Sequence, residues 1–233
     1  GIAVMNTPVI EVRNFCKRFT LHQQGGVVIN ALDNVSFSVS AGECLALSGP
    51  SGAGKSTMLK ALYGNYLPSS GEILVRTDAG TIDIGKASPR TVMKLRLGVI
   101  SFVTQFLRAI PRVTALSLVA EPLAEAGVDP EEARSRARDM LYRLNLPERL
   151  WNLAPATFSG GEQQRVNIAR GMIRTTPVLL LDEPTASLDG ENRRVVIDLI
   201  REAKAAGTAI IGIFHDDAAR EAVATRCLNM ARA

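Results

Sequence analysis

Apolar and polar residues alternate along the early part of the chain. Val35, Phe37 and Val39 alternate with Ser36, Ser38 and Ser40, the period of a half-buried strand, and Val9 to Arg13 repeats the pattern. Ala41-Gly42-Glu43 turns the chain into a short apolar run over 44–48 that suits a buried strand. Thr57 to Tyr63 carries no breaker and predicts a helix, which Pro68-Ser69-Ser70-Gly71 ends. Glu72 to Arg76 and Thr81 to Ile84 predict two further strands joined through Asp78-Ala79-Gly80 as a hairpin.

From about Val113 to Arg174 the period becomes helical. Asp129-Pro130-Glu131-Glu132 supplies a capping Asp, a Pro at the first helical position and a Glu three residues after the cap. Ala133, Ala137, Met140, Leu141 and Leu144 then share one face, the stripe of a core-packed helix. Beyond residue 177 strand and helix alternate. Val178 to Leu181 predicts a buried strand. Glu191 to Ala206 predicts a helix with Val195, Val196, Leu199, Ile200 and Ala203 inward, closed by Gly207, and Thr208 to Phe214 predicts another strand. Such alternation implies an α/β protein with helices packed on a parallel sheet. No linker, repeat or low-complexity segment interrupts the chain, so 1–233 reads as one domain. Its core and antiparallel part occupy approximately 1–100 and 175–233, and a helical part occupies approximately 101–174.

Composition narrows the class. Of 233 residues, 46% are hydrophobic and 21% charged, ordinary for a soluble globular protein. The longest apolar runs, such as Val178 to Leu181 and Ala209 to Ile213, are strand-sized, so no membrane span is expected. Gly1-Ile2-Ala3-Val4-Met5 lacks the charged start and long apolar stretch of a secretory signal. The net charge of +4 raises the question of nucleic acid. Basic residues mix with acidic ones, as in Glu131 to Arg136, and no basic stripe is interleaved with aromatics, so no direct nucleic-acid partner is expected. Cys16, Cys44 and Cys227 lie far apart and form no C-x-x-C pair. They read as reduced thiols of a cytoplasmic protein, each a small buried hydrophobe.

The candidate chemistry begins at Gly49-Pro50-Ser51-Gly52-Ala53-Gly54-Lys55-Ser56, followed by Thr57. This is a complete G-x-x-x-x-G-K-S loop between a predicted strand and a predicted helix, the context a phosphate-binding loop requires. Four fixed positions of this kind arise by chance in about one chain per hundred of this length, so a mere glycine-rich turn is a weak alternative. Backbone N–H groups around Gly52, Ala53 and Gly54 suit a β-phosphate, helped by the helix N-terminus. Lys55 would reach the β- and γ-phosphates, and the Ser56 hydroxyl would ligate Mg²⁺.

Leu179-Leu180-Leu181-Asp182-Glu183 is an apolar strand ending in two carboxylates at the sheet edge where ligands bind in α/β proteins. Adjacent strand residues point apart, so two roles are expected: Asp182 for Mg²⁺, and Glu183 as the general base toward water. Ser159-Gly160-Gly161-Glu162 reads as a capping box. Glycines at the first two helical positions cost roughly 1 kcal/mol each relative to Ala, which points to close backbone approach of a ligand at a helix end rich in free N–H groups.

Together these motifs resemble the ATP-binding-cassette ATPase family over essentially the whole chain. The resemblance implies a P-loop NTPase fold of the cassette type: an α/β core with a mixed or parallel sheet, an antiparallel β subdomain and an inserted α-helical subdomain. It implies ATP and Mg²⁺ as cofactors and ATP hydrolysis as the activity. In that family the Ser159-Gly160-Gly161-Glu162 signature contacts the γ-phosphate held by a second cassette, and Ser187-Leu188-Asp189 matches the loop crossing between the two. Gln105 matches the glutamine that contacts Mg²⁺ and water, His215 the γ-phosphate-sensing histidine, and Phe19 the aromatic that stacks on adenine. The chain departs from the common pattern at Phe19, where Tyr is usual, and at Phe158 and Glu162, where Leu and Gln are common.

Stretches outside these motifs are similar to the cassette subunits of carbon–phosphorus lyase systems, which serve phosphonate use. They are Leu21 to Gln24, Leu62 to Pro68, Gln105 to Arg112 and Leu146 to Pro155. This narrower resemblance implies a cytoplasmic ATPase supporting transfer of a phosphonate to the ribose of ATP, with loss of adenine, to form ribose 1-phosphonate 5-triphosphate. It implies as partners a second cassette, either another copy or a related subunit such as PhnK, and a soluble phosphonate-processing core complex. Phe106, Leu107, Ile110 and Arg112 are the candidate partner contacts, with packing inside the helical part an equal alternative for Phe106 and Leu107. The alternative is the ATPase subunit of a conventional ABC transporter of the lipoprotein or peptide exporter type.

Overall fold

The computed structural model describes residues 7–231, and the expectation drawn from Gly1 to Met5 lies outside them. In chain order β1 (Pro8–Leu21) and β2 (Val27–Ser40) form a long antiparallel hairpin, and β3 (Cys44–Ser48) leads through the glycine-rich loop into α1 (Lys55–Leu62). Then come β4 (Ser70–Thr77), β5 (Gly80–Asp83), α2 (Pro89–Gly98) and β6 (Ile100–Val103). The helical layer is α3 (Ala115–Glu125), α4 (Pro130–Arg143) and α5 (Gly160–Met172). The chain finishes with β7 (Val178–Asp182), α6 (Gly190–Ala205), β8 (Ala209–Ile213), α7 (Asp217–Val223) and β9 (Arg226–Asn229). No helix among the described residues is long and apolar enough to cross a membrane.

Two sheets result. The first is antiparallel, with order β2-β1-β4-β5; the second is parallel, with order β6-β7-β8-β3-β9. The inner strands β3, β7 and β8 are buried on both faces, which is why they read as unbroken apolar runs, whereas the edge strand β9 is mostly exposed. Leu179 and Leu181 pack with α5 and α6, through Val166, Ile168, Val196 and Leu199. Val178 and Leu180 face the other way, onto Met58, Leu59 and Leu62 of α1 and the inner face of the antiparallel sheet. Helix starts follow the capping rule: Ser88, Thr114, Asp129, Asp189 and Asp216 each accept a backbone N–H from the turn they open.

Some elements differ from the sequence reading. Alternation predicts a first strand ending at Arg13 and a second beginning at Val35, whereas β1 runs to Leu21 and β2 starts at Val27. The register between them shifts at Val12/Phe15, where Asn14 sits at φ 48°, and Asn34 of the paired strand lies at φ 51°; each shift breaks the period of two. Short α2, β6, α7 and β9 were not marked by periodicity. The four residues of β6 become a strand by pairing with β7, so the approximate boundary at 101 falls inside a core strand. Of the three cysteines only Cys44 is buried, its thiol pushed up to about 12 by burial; Cys16 is partly and Cys227 largely exposed.

Candidate functional site

The parallel sheet order decides what meets at its C-terminal edge. The glycine-rich loop follows β3, Gln105 follows β6, Asp182 ends β7 with Glu183 just after it, and His215 follows β8. These ends converge on one cleft of about 380 Å³ lined by Ser51, Gly52, Gly54, Lys55, Ser56, Thr57, Gln105, Glu183, Ile213 and His215. Gly49, Pro50 and Ala53 complete the loop. Gly54 requires its lack of a side chain: it lies at φ 90°, and a Cβ there would stand 2.5 Å from the Ala31 carbonyl oxygen of β2. The Lys55 ammonium donates to the Gly49 carbonyl at 2.6 Å, which folds the lysine back over its own loop.

Asp182 lies beneath the cleft, 4% exposed. Its Oδ2 accepts from the Ser56 hydroxyl at 3.5 Å, and its Oδ1 is buried with no hydrogen-bond partner. Burial, and next the Glu183 charge, hold this carboxyl above the usual carboxylate range, against the opposing pull of Ser56, Lys60 and His215. A buried carboxylate oxygen with no partner beside a serine hydroxyl is a fitting pair of donors for a hard divalent cation, which takes oxygen ligands and keeps several from water and phosphate.

Glu183 is built differently from its neighbour. It occupies the left-handed region at φ 52° immediately before Pro184, a conformation that costs about 1–3 kcal/mol for a non-glycine residue. Its N–H donates to the Ile213 carbonyl at 2.9 Å, and its carbonyl accepts from Ala186 N–H at 3.2 Å and from the Gln164 amide at 3.5 Å. These bonds hold the strained turn, which carries the carboxylate out of the strand and into the cleft. There Oε1 meets His215 Nε2, and Oε2 lies 3.5 Å from Gln105 Nε2.

The remaining predicted residues lie apart from that cleft. Ser159, Gly160, Gly161 and Glu162 open α5, and Asp189 caps α6; none lines the cavity of the same chain. The predicted capping box is formed: Ser159 N–H donates to Glu162 Oε1 at 2.9 Å, and Glu162 N–H donates to Ser159 Oγ at 3.2 Å. The Ser159 N–H bond is the main cause holding the Glu162 carboxyl below its ordinary range. Phe19 also stands outside the cavity, on β1 opposite Ile29, two residues from the Ala31 carbonyl that abuts Gly54. Its ring meets the edge of Tyr66 at 5.3 Å, and the Lys17 ammonium lies 5.1 Å and 5.8 Å from the two ring centres.

The motifs give no role to Gln164, inside the signature run, or to Asn167 just beyond it on α5. Gln164, 4% exposed, donates to the Pro184 carbonyl at 3.0 Å, and Asn167, 6% exposed, donates to the Thr104 carbonyl at 2.6 Å. The helix is therefore bonded to the turn carrying Glu183 and to the residue before Gln105. The available signal was their place in a helix otherwise packed through Val166 and Ile168: a polar residue on a buried face needs a partner.

Comparison with known proteins gives the family. The family described as ABC transporter matches residues 32–186. Two solved structures of the ATP-binding cassette MJ0796 are 32% identical, with 95% of each chain covered. One is a dimer in a post-hydrolysis state bound to ADP and Pi, with a TM-score of 0.84, and the other a dimer of what is described as a bacterial ABC transporter cassette, with a TM-score of 0.85. The ATP-binding subunit of another ABC transporter is 25% identical over 96% of this chain and 87% of that one, with a TM-score of 0.80.

Proposed function

The chain belongs to the ABC family of ATP-binding cassettes, which are P-loop ATPases, and within that family we propose that it is the PhnL-type cassette of a phosphonate carbon–phosphorus lyase system. In this reading it hydrolyses ATP in support of phosphonate transfer to the ribose of ATP. The observation that carries the catalytic part is the convergence of Lys55, Ser56, Gln105, Glu183 and His215 on one cleft.

Each residue then has a task set by its position. The 49–57 loop wraps the β-phosphate with backbone N–H groups, and Lys55 leaves the Gly49 carbonyl to reach the β- and γ-phosphates. Ser56, Asp182 and Gln105 would hold Mg²⁺, which when bound offsets charge on the phosphate oxygens. Glu183 accepts a proton from the attacking water, which His215 and Gln105 help align. Phe19 would stack on adenine. Ser159, Gly160, Gly161, Glu162 and Asp189 reach the nucleotide of a second cassette, another copy or a related subunit such as PhnK. Their position outside the chain's own cleft, and the dimeric MJ0796 structures, support that reading.

The lyase assignment rests on the four distinctive stretches, and one of them has a structural feature that suits a protein partner. Phe106 is 78% and Ile110 45% exposed, beside a groove of about 410 Å³ that Met93, Leu97, Phe102, Leu107 and Arg108 help to line. We propose that Phe106, Leu107, Ile110 and Arg112 meet the soluble lyase core here. A second reading, the ATPase of a conventional transporter, is favoured by the transporter cassettes among the solved relatives. Size-exclusion chromatography with ATP separates the two. Co-elution with PhnK and the lyase core is the expected result; exclusive co-elution with a membrane permease would overturn the assignment.

A further inference from the structure

The signature tip and the loop before α6 are joined inside one chain by a relay of hydrogen bonds centred on Asn145. This residue follows α4 at φ 57°, the left-handed position where glycine is the usual helix terminator. Glycine would satisfy the backbone there, yet the chain places an amide. Asn145 Nδ2 donates to Asn192 Oδ1 at 3.1 Å, bridging the helical layer to α6. Asn192 is 8% exposed, and its N–H donates to Asp189 Oδ1 at 2.9 Å.

On its other side Asn145 is tied to the signature helix. Its carbonyl accepts from Arg165 Nη1 at 2.7 Å, and the same guanidinium bonds the Leu144 carbonyl at 3.3 Å and, through Nε, the Gly161 carbonyl at 3.2 Å. The two ends of the relay also touch directly, since a Cβ on Gly161 would stand 2.9 Å from the Ser187 carbonyl oxygen. We infer that Asn145 is a positioning residue: through Asn192 and Arg165 it locks the Ser159 helix tip and the Asp189 loop into one rigid unit that meets a neighbouring cassette's nucleotide. The inference rests on the reading that both elements act across a cassette pair. Two contacts that must form together are made in the transition state only as often as both are in place, so loosening their mutual geometry lowers turnover without weakening the chain's own nucleotide cleft.

The test uses the assembled complex that hydrolyses ATP, with Asn145→Gly, Asn192→Ala and the double variant. Asn145→Gly keeps the left-handed backbone and removes the amide alone. One lost hydrogen bond predicts a fall in kcat of about threefold to tenfold in each single variant, with KM for ATP unchanged. The double variant should be no worse than either single one, because both break the same bond. An unchanged kcat in folded Asn145→Gly, a raised KM with kcat intact, or fully additive losses would each overturn the inference. Asn145→Gly alone decides the matter if Asn192→Ala does not fold. Asp189→Ala is measured alongside. If it leaves kcat intact, the reading of these elements as acting in trans falls and takes the relay with it; if it lowers kcat while Asn145→Gly does not, only the relay falls.

Discussion

Glu183 and His215, at the ends of neighbouring strands β7 and β8, meet side chain to side chain, and the second oxygen of the same carboxylate lies 3.5 Å from Gln105 Nε2. Three loops thus share one carboxylate. The left-handed turn before Pro184 is what brings it there, while Asp182, one residue earlier, stays buried below.

If that carboxylate accepts the proton of the attacking water, Glu183→Gln keeps the shape of the cleft and loses the base. Turnover should fall by at least about 100-fold, with ATP still bound. Equilibrium nucleotide binding and single-turnover hydrolysis measure the two effects separately. Full turnover in the variant would remove Glu183 from the role.

The glycines of the phosphate-binding loop should not be equivalent. Gly52 and Gly54 both have positive φ, but a Cβ at 52 meets nothing within 4 Å, whereas one at 54 meets the Ala31 carbonyl at 2.5 Å and Leu32 Cδ2 at 2.7 Å. Gly52→Ala should cost only the left-handed penalty of about 1–2 kcal/mol. Gly54→Ala should cost more and displace β2 from the loop. Urea unfolding of the two variants compares them, and equal losses would show that close approach to β2 does not matter.

One carboxylate far from the cleft should leave a mark on acid stability. Glu43 Oε1 accepts the Ser40 N–H at 2.8 Å, and Oε2 lies 3.4 Å from Arg226 Nε. Burial pushes its pKa up, but the Ser40 N–H and Arg226 outweigh this and hold it below its ordinary 4.5. Between the folded and unfolded pKa values the unfolded chain binds more protons, so stability rises with pH through that window. The contribution is present above the ordinary value and disappears as pH falls through the lowered one. Urea midpoints of Glu43→Gln and the parent chain should therefore differ near neutrality and converge in acid. A gap that persists in acid would assign the effect to something other than ionisation.

Phe106 and Ile110 project from the loop after Gln105, and substitutions at such exposed positions typically change stability by no more than about 0.5 kcal/mol. Phe106→Glu and Ile110→Glu should keep the melting temperature and abolish co-elution with the lyase core. Unchanged co-elution would place the partner surface elsewhere.

Local features were legible before any fold was known. The capping box at Ser159 and Glu162, the cap at Asp129 and the stripe of Ala133, Ala137, Leu141 and Leu144 all depend on residues within a turn or two of one another. The length of β1 was not legible, because its bulges at Asn14 and beyond cancel the alternation that marks a strand. The Asn145–Asn192 bond was not legible either, since it joins positions 47 residues apart that no motif pairs.

The amino-acid order by itself determined the strand–loop–helix around Lys55, the acidic end of the 178–182 strand, the signature helix start and the α/β alternation. Each follows from backbone geometry, burial period or capping within a short stretch of chain. Tertiary structure alone decided that Gln105, Glu183 and His215 face one cavity, that Ser159 and Asp189 do not line it, and that Phe106 stays uncovered. Strand order and register are chosen by burying apolar faces contributed from distant parts of the chain, and no local pattern encodes which strand will lie beside which.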